Sequence, residues 1–301
     1  MRTSEAGATV RVKNILFLTD FSEPSEVALP FATAFGRNQD AKIHALHVLQ
    51  PVPYSYSKAG LVAEALEAAE ETAQSAMQRL SSQLSGLQYE TTVVRGAEVW
   101  PAVDHAIQEG DVDLIILGTH GRTGPEKLLL GSVAEEIFRR SPVPVLTIGP
   151  GVRSGAHNGG RFHQVMFATD FTPESLAGAP FALSLARENQ AHLALLTVMR
   201  KPEKPNESDD RIFELSVAEA FHRLYELVPE KESLRYPPQA LVEYGDAAER
   251  IVEVAKQRGV DLIVLGVRSA AGRLGAATHL ERAIAHKVVA RATCPVLTFR
   301  G

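Results

Sequence analysis

Short apolar runs alternate with longer amphipathic stretches along the whole chain. Residues 15–18 are wholly apolar and stop at Thr19-Asp20. Ser22-Glu-Pro-Ser25 then offers cap-type residues, and 27–35 carries apolar positions at helical spacing, so a strand and then a helix are predicted. Residues 41–49 are strand-like and end before Pro51 and Pro53, and 64–84, rich in Ala, Glu, Gln and Leu, predicts a long helix. Next come a β-branched run at 91–95, a helix at 100–108, a fully apolar strand at 114–117, a helix at 132–140 and a strand at 143–148. Strands without in/out alternation are buried on both faces, as in a parallel sheet covered by helices.

The pattern then starts again. Asn14-Ile-Leu-Phe-Leu-Thr-Asp20-Phe21-Ser22 is matched by Gln164-Val-Met-Phe-Ala-Thr-Asp170-Phe171-Thr172, 150 positions on. Val112-Asp-Leu-Ile-Ile-Leu-Gly118 returns as Val260-Asp-Leu-Ile-Val-Leu-Gly266, 148 positions on, and Pro144-Val-Leu-Thr-Ile148 as Pro295-Val-Leu-Thr-Phe299, 151 positions on. Three matches in one order at nearly one offset imply a duplicated domain; solenoids repeat every ~20–50 residues. The second copy's long helix is expected at 210–227, after a polar 201–209 loop. The fold class is therefore α/β, with two tandem doubly wound domains, each a five-stranded parallel sheet flanked by helices. Their expected limits are 1–150 and 162–301, with 151–161 as linker. Residues 149–161 hold five glycines and one proline without apolar periodicity, which predicts a flexible connector. Doubly wound sheets bind ligands at the carboxyl ends of their strands. The site is thus expected where the loops after Leu18, Val48 and Leu117 converge.

Composition narrows the function. A 45% hydrophobic content is too high for a disordered chain, and 31 basic against 36 acidic residues give a net charge of -5. No stretch concentrates either sign, which argues against nucleic-acid binding, where a basic face collects phosphates. One small anion is still compatible, because backbone amides bind anions without net positive charge. Cys294 is the one cysteine, so neither an internal disulfide nor a cysteine metal cluster is available. No apolar run approaches the roughly 20 residues needed to cross a bilayer, and MRTSEAGATVRVKN lacks a secretory apolar core. The expectation is a cytoplasmic protein with neither nucleic acid nor membrane as partner.

After the strand at 114–117 comes Gly118-Thr-His-Gly121-Arg-Thr-Gly124-Pro-Glu-Lys-Leu-Leu-Leu-Gly131-Ser132. Glycines let a ligand approach the backbone, and Gly131-Ser132 opens a helix whose free N–H groups and dipole favour a phosphate. Single glycines mark turns. Four of them bracketing a strand end and a helix start favour phosphate binding, although neither GxGxxG nor GxxxxGK[ST] is present.

Gly118-x2-Gly121-x9-Gly131-Ser132 resembles the nucleotide-binding signature of the universal stress protein family, G-x2-G-x9-G-[ST]. Thr19-Asp20-Phe21-Ser22 and the Leu46-His47-Val48 strand ending are similar to that family as well, and the resemblance covers both halves. It implies a Rossmann-like, adenine nucleotide α-hydrolase-like scaffold that binds ATP, or in some members no nucleotide. By that resemblance Asp20 lies near the adenosine and the Val48 backbone at the adenine edge. Gly118 and Gly121 line the ribose and phosphates, and Gly131, Ser132 and Val133 hold the phosphate tail. Without the resemblance Asp20 reads as a helix cap or turn residue, and spacing alone favours the cap. His120 and Arg122, inside the loop, are either phosphate contacts or solvated residues. Magnesium accompanying the phosphates would be held mainly by nucleotide oxygens and water.

The second copy departs from the signature. Ser269 stands where the second glycine is expected, and Arg282-Ala283 where the first copy has Gly131-Ser132. Asp170, Val198 and Gly266 persist, so a weaker second site without a phosphate clamp is expected. His44, His47 and His105 lack metal-ligand spacing, and His279 and His286 lack a third ligand nearby. No nucleophile–base–orienter set is visible, so no catalytic residue is assigned. The expected function is an adenine-nucleotide-binding stress-response or signalling module. Alternatives are a nucleotide-independent scaffold or a slow ATPase or adenylating enzyme; the latter would bring a Ser-Gly-Gly-x-Asp loop where this chain has Thr-Asp-Phe-Ser. Family members commonly pair their final strands, which implies an intrachain pseudo-dimer, a possible homodimer and a protein partner that the sequence does not name.

Overall fold

In the computed structural model, which describes residues 11–50, 59–119, 131–153, 160–200, 207–267 and 276–300, the first apolar run becomes β1, Asn14–Leu18, with its last four residues buried. It is followed by α1 (Glu23–Gln39), β2 (Lys42–Leu49), α2 (Ala59–Gln83), β3 (Tyr89–Arg95), α3 (Trp100–Glu109), β4 (Leu114–Gly118), α4 (Ser132–Arg140) and β5 (Val145–Ile148). These strands are parallel in the order β3-β2-β1-β4-β5, with Ile15 opposite Ile43 on one side and Leu114 on the other. The chain moves outward from β1 to β3 and then crosses back to β4. Right-handed crossovers therefore place α1 and α2 on one face and α3 and α4 on the other. β1 and β4 flank the switch point, where such sheets bind ligands.

The second unit, from Gly149 on, repeats this with β6 (Gln164–Ala168), α5 (Pro173–Leu176), α6 (Ala179–Asn189), β7 (His192–Met199), α7 (Glu207–Glu226), β8 (Gln239–Tyr244), α8 (Ala247–Gln257), β9 (Leu262–Val267), α9 (Ala276–Arg291) and β10 (Val296–Arg300). Its parallel order is β8-β7-β6-β9-β10. Phe17, Ile115, Ile116 and Leu146 in the first unit and Phe167 in the second are wholly buried, as expected for strands covered on both faces. The aspartate of the repeated Val-Asp-Leu-Ile motif has a structural task. Asp113 accepts from the Lys13 and Asn14 amides at 2.7 and 3.0 Å, and Asp261 from those of His163 and Gln164 at 2.7 and 3.0 Å. Each ties the start of one central strand to the next.

Several boundaries differ from expectation for local reasons. α1 begins at Glu23 because Pro24 falls in the first turn, where no amide partner is lost; it also runs through Pro30, which forfeits one intrahelical bond. β5 starts at Val145 rather than 143. The Ser141 hydroxyl bonds the Val143 carbonyl at 2.6 Å and accepts from its amide at 3.2 Å, which holds that residue in a turn. The second copy breaks α1's counterpart into α5 and α6 at Ala177-Gly178. A Cβ on Gly178 would lie 3.2 Å from Phe299 and 3.3 Å from Phe167, so the aromatic core presses directly on that backbone. The expected flexible connector is packed at both ends. Val152 and Phe162 are buried, and a Cβ on Gly149 or Gly151 would lie 2.4 or 2.5 Å from the Val289 or Ala292 carbonyl. Residues 154–159 of it lie outside the described residues.

Candidate functional site

The loop leaving β1 is built around one carboxylate. Asp20 Oδ1 accepts from the Ser22 amide at 3.0 Å, the Ser22 hydroxyl at 2.5 Å and the Ser25 hydroxyl at 2.6 Å. The helix cap position belongs to Ser22, so Asp20 closes an Asx turn in front of the helix and is not its cap. All three bonds meet Oδ1, and among the described residues none goes to Oδ2. Burial pushes this carboxyl up, but the Ser22 and Ser25 hydroxyls and the Ser22 amide outweigh it and hold the group below its ordinary value. Phe21, at φ 58°, packs on the His47 ring at 4.6 Å, and His47 Nδ1 lies 2.8 Å from the Thr19 carbonyl. Ser22 and Ser25, read from the sequence only as cap-type residues, thus hold the Asp20 carboxylate, and His47 buttresses the same loop. The hydroxyls two and five places after Asp20 were the available signal.

A depressed carboxyl stabilises the fold above the unfolded value of 3.8 and loses that contribution as pH falls through the folded value. Asp20→Asn should therefore cost ~1 kcal/mol at pH 7, given partial solvent screening. In urea titrations the gap to wild type should shrink below about pH 4. A gap that persists at pH 2.5 would contradict this assignment.

The end of β4 faces the same loop. A Cβ on Gly118 would stand 2.4 Å from the Pro24 carbonyl oxygen. The glycine is therefore explained by the approach of α1, whatever ligand lies beyond it. Thr119, almost fully buried, continues the strand by donating to the Ile148 carbonyl at 3.1 Å. The Gly131 amide then donates to the Thr119 carbonyl at 2.8 Å, which brings the start of α4 back to the strand end. Gly131 caps α4 at φ −59° and ψ 147°, a conformation open to any residue. The first intrahelical bond runs from the Glu135 amide to the Gly131 carbonyl at 2.9 Å, so the amides of Ser132, Val133 and Ala134 have no intrahelical partner. Ser132 itself is exposed.

Asp20, Val48, Gly118, Gly131, Ser132 and Val133 thus belong to the carboxyl ends of β1, β2 and β4 and the start of α4. His120, Gly121 and Arg122 lie outside the described residues. In the second copy, Asp170, Val198 and Gly266 line one cavity of about 80 Å³, together with Ile251 and Ile284. That is far below the roughly 300 Å³ of an ordinary small-molecule pocket. Asp170 accepts from the Thr172 amide at 3.1 Å and hydroxyl at 2.7 Å, whereas Ser175, the counterpart of Ser25, turns its hydroxyl to Thr169 at 2.7 Å. Phe171 is covered by the Arg223 guanidinium at 4.1 Å. A Cβ on Gly266 would lie 2.2 Å from Ser175 Cα, so this glycine too answers to packing. The side chains of His279 and Arg282 lie outside the described residues.

Elsewhere, burial pushes the Cys294 thiol up to about 12, which fits a core side chain rather than a nucleophile. Trp100 is buried under the Arg140 guanidinium at 4.9 Å. Among the described residues no cluster of His, Cys, Asp or Glu could hold a metal ion, and no helix is long and apolar enough to cross a membrane.

Fold and site together define a tandem doubly wound α/β protein with its candidate site at the strand carboxyl ends. A model of the universal stress protein family matches residues 11–149 and again 161–300, so the chain belongs to that family and carries its domain twice. A universal stress protein of Methanocaldococcus jannaschii is 32% identical over 143 residues, covering 45% of this chain and 81% of the relative. One from Mycolicibacterium smegmatis is 25% identical over 299 residues, covering 95% and 96%. The crystal structure of a universal stress protein from Archaeoglobus fulgidus has a TM-score of 0.65 at 21% identity over 95% of this chain and 98% of that one, a likeness of fold.

Proposed function

We propose that this chain is an adenine-nucleotide-binding universal stress protein in which the first copy holds ATP and the second is weak or structural. One observation carries the reading: in the first copy, Asp20, whose Oδ2 has no partner among the described residues, and the α4 amides that lack intrahelical partners lie at the same carboxyl edge of the sheet. The carboxylate suits ribose or adenine donors, and the helix start suits phosphates. The Val48 backbone meets the adenine edge in this reading, and Gly121, His120 and Arg122 close over the phosphates. Magnesium enters with the nucleotide. The second copy keeps the aspartate, but Arg282 replaces Gly131 in sequence and falls inside α9, and its cavity is small. Nucleotide occupancy then acts as a stress-response signal read by a protein partner or another copy of the chain.

Thermal unfolding with and without MgATP tests this. At 100 times the dissociation constant a single site adds about 2.7 kcal/mol, which raises the melting temperature of the unit that binds. No shift at millimolar ATP would sink the proposal in favour of a nucleotide-independent scaffold.

A further inference from the structure

The first copy contains a second groove, between α3 and the β2–β3 edge, running from Lys42 and Glu90 at the strand starts to Gly96 and Glu98 just after β3. It encloses about 830 Å³ over Leu46 and Val94, with Ala102 and Ala106 of α3 as its wall. The second copy fills the equivalent space with its own cations. Helix positions correspond at an offset of 148, so Arg250 stands at Ala102 and Arg258 at Gly110. Strand register places Glu243 at Val94 and Gln239 at Glu90. Arg250 reaches Glu243 and Glu253 at 2.5 Å each, and Arg258 reaches Gln239 at 2.5 Å. One backbone thus carries two guanidinium groups in one copy and small residues in the other.

The charges around the open groove are unbalanced. Lys42 is paired with Glu90 at 2.7 Å, and Arg95 with Glu70. Glu98 and Glu109 also line the groove, and among the described residues neither has an ion-pair partner. Glu109 ends α3 and Glu98 lies two residues before its start, so they flank a ten-residue helix roughly 15 Å long at 1.5 Å per residue.

From this arrangement we infer that the groove binds a linear organic polycation, a protonated aliphatic polyamine, with one ammonium at Glu98, another at Glu109 and the methylene chain over Leu46 and Val94. The ligand supplies to the first copy the cations that Arg250 and Arg258 supply to the second. Each exposed carboxylate contributes little alone. Two of them on one ligand, with buried methylenes between, act together.

The site is independent of the nucleotide proposal and is tested without nucleotide, because polyamines also pair with phosphates. The probe is spermine, whose extended length is of the order of the Glu98–Glu109 span, titrated calorimetrically into the full chain at low salt. Saturable binding of one spermine per chain is expected, weakened by added salt. Glu98→Gln or Glu109→Gln should each weaken it roughly 2- to 5-fold, and the pair about tenfold or more. Ala102→Arg, which reproduces the second copy's filling, should abolish it, with circular dichroism checking the fold. Glu219→Gln, on the second unit's surface, should leave it unchanged. No saturable binding at millimolar spermine, binding untouched in the double variant, or an equal loss in Glu219→Gln would overturn the inference. A basic peptide that binds the groove while spermine does not would overturn it as well.

Discussion

Replacing Gly118 by alanine is expected to destabilise the first unit by about 3 kcal/mol, at the upper end of overpacking costs. The added Cβ would stand 2.4 Å from the Pro24 carbonyl oxygen and 2.5 Å from its carbon, both backbone atoms that no rotamer change can move away. Either β4 or the start of α1 must shift. Since Ser22 and Ser25 flank that start and hold Asp20, the carboxylate loses its frame too. For a domain of this size the melting temperature of that unit should fall by about 10 °C. Gly266→Ala should do the same to the second unit, where the clash is with Ser175 Cα at 2.2 Å. A first unit that melts unchanged in Gly118→Ala would show that α1 does not constrain this position.

Replacing Gly131 by arginine should do the reverse: leave the fold nearly intact and weaken ATP binding by roughly 100-fold, as expected for lost charge-assisted hydrogen bonds. At φ −59° and ψ 147° the position demands no glycine conformation, so the cost to stability is that of a poorer helix cap, under about 1 kcal/mol. The side chain would, however, occupy the space in front of the α4 amides that lack intrahelical partners. In the second copy the sequence equivalent, Arg282, lies inside α9, which begins at Ala276, so no helix start stands there. Calorimetric titration with ATP decides between obstruction and attraction. Unchanged or tighter binding would mean that arginine serves the phosphate, and that the second copy has been misjudged.

The apolar strands were legible because burial on both faces leaves few polar positions in them; β1 after Asn14, β4 and β9 are uninterrupted apolar runs, with Gly118 and Gly266 at or near the ends of the last two. The duplication was legible for the same reason, since those runs recur in order. Less visible was anything set by residues distant in sequence. The break at Gly178 depends on Phe167 and Phe299, and the glycine at 118 on Pro24, nearly a hundred residues earlier. Sequence reading assigned Gly118 to the ligand because the signature resembles a nucleotide motif, while its immediate physical cause is helix–strand contact. Asp20 was read as a cap or turn residue or a ligand contact; the Asx turn with Ser22 gives it the turn, while the cap falls to Ser22. The groove beside α3 left no sequence signal, because it consists of what Ala102 and Gly110 lack, and shows only against Arg250 and Arg258 in the other copy.

The most direct test is to denature the protein after saturation with ATP and removal of free ligand, then identify and count the released nucleotide per chain. The account predicts one adenine nucleotide per wild-type chain and none from Gly131→Arg. Two per chain, or none from the wild type, would contradict it.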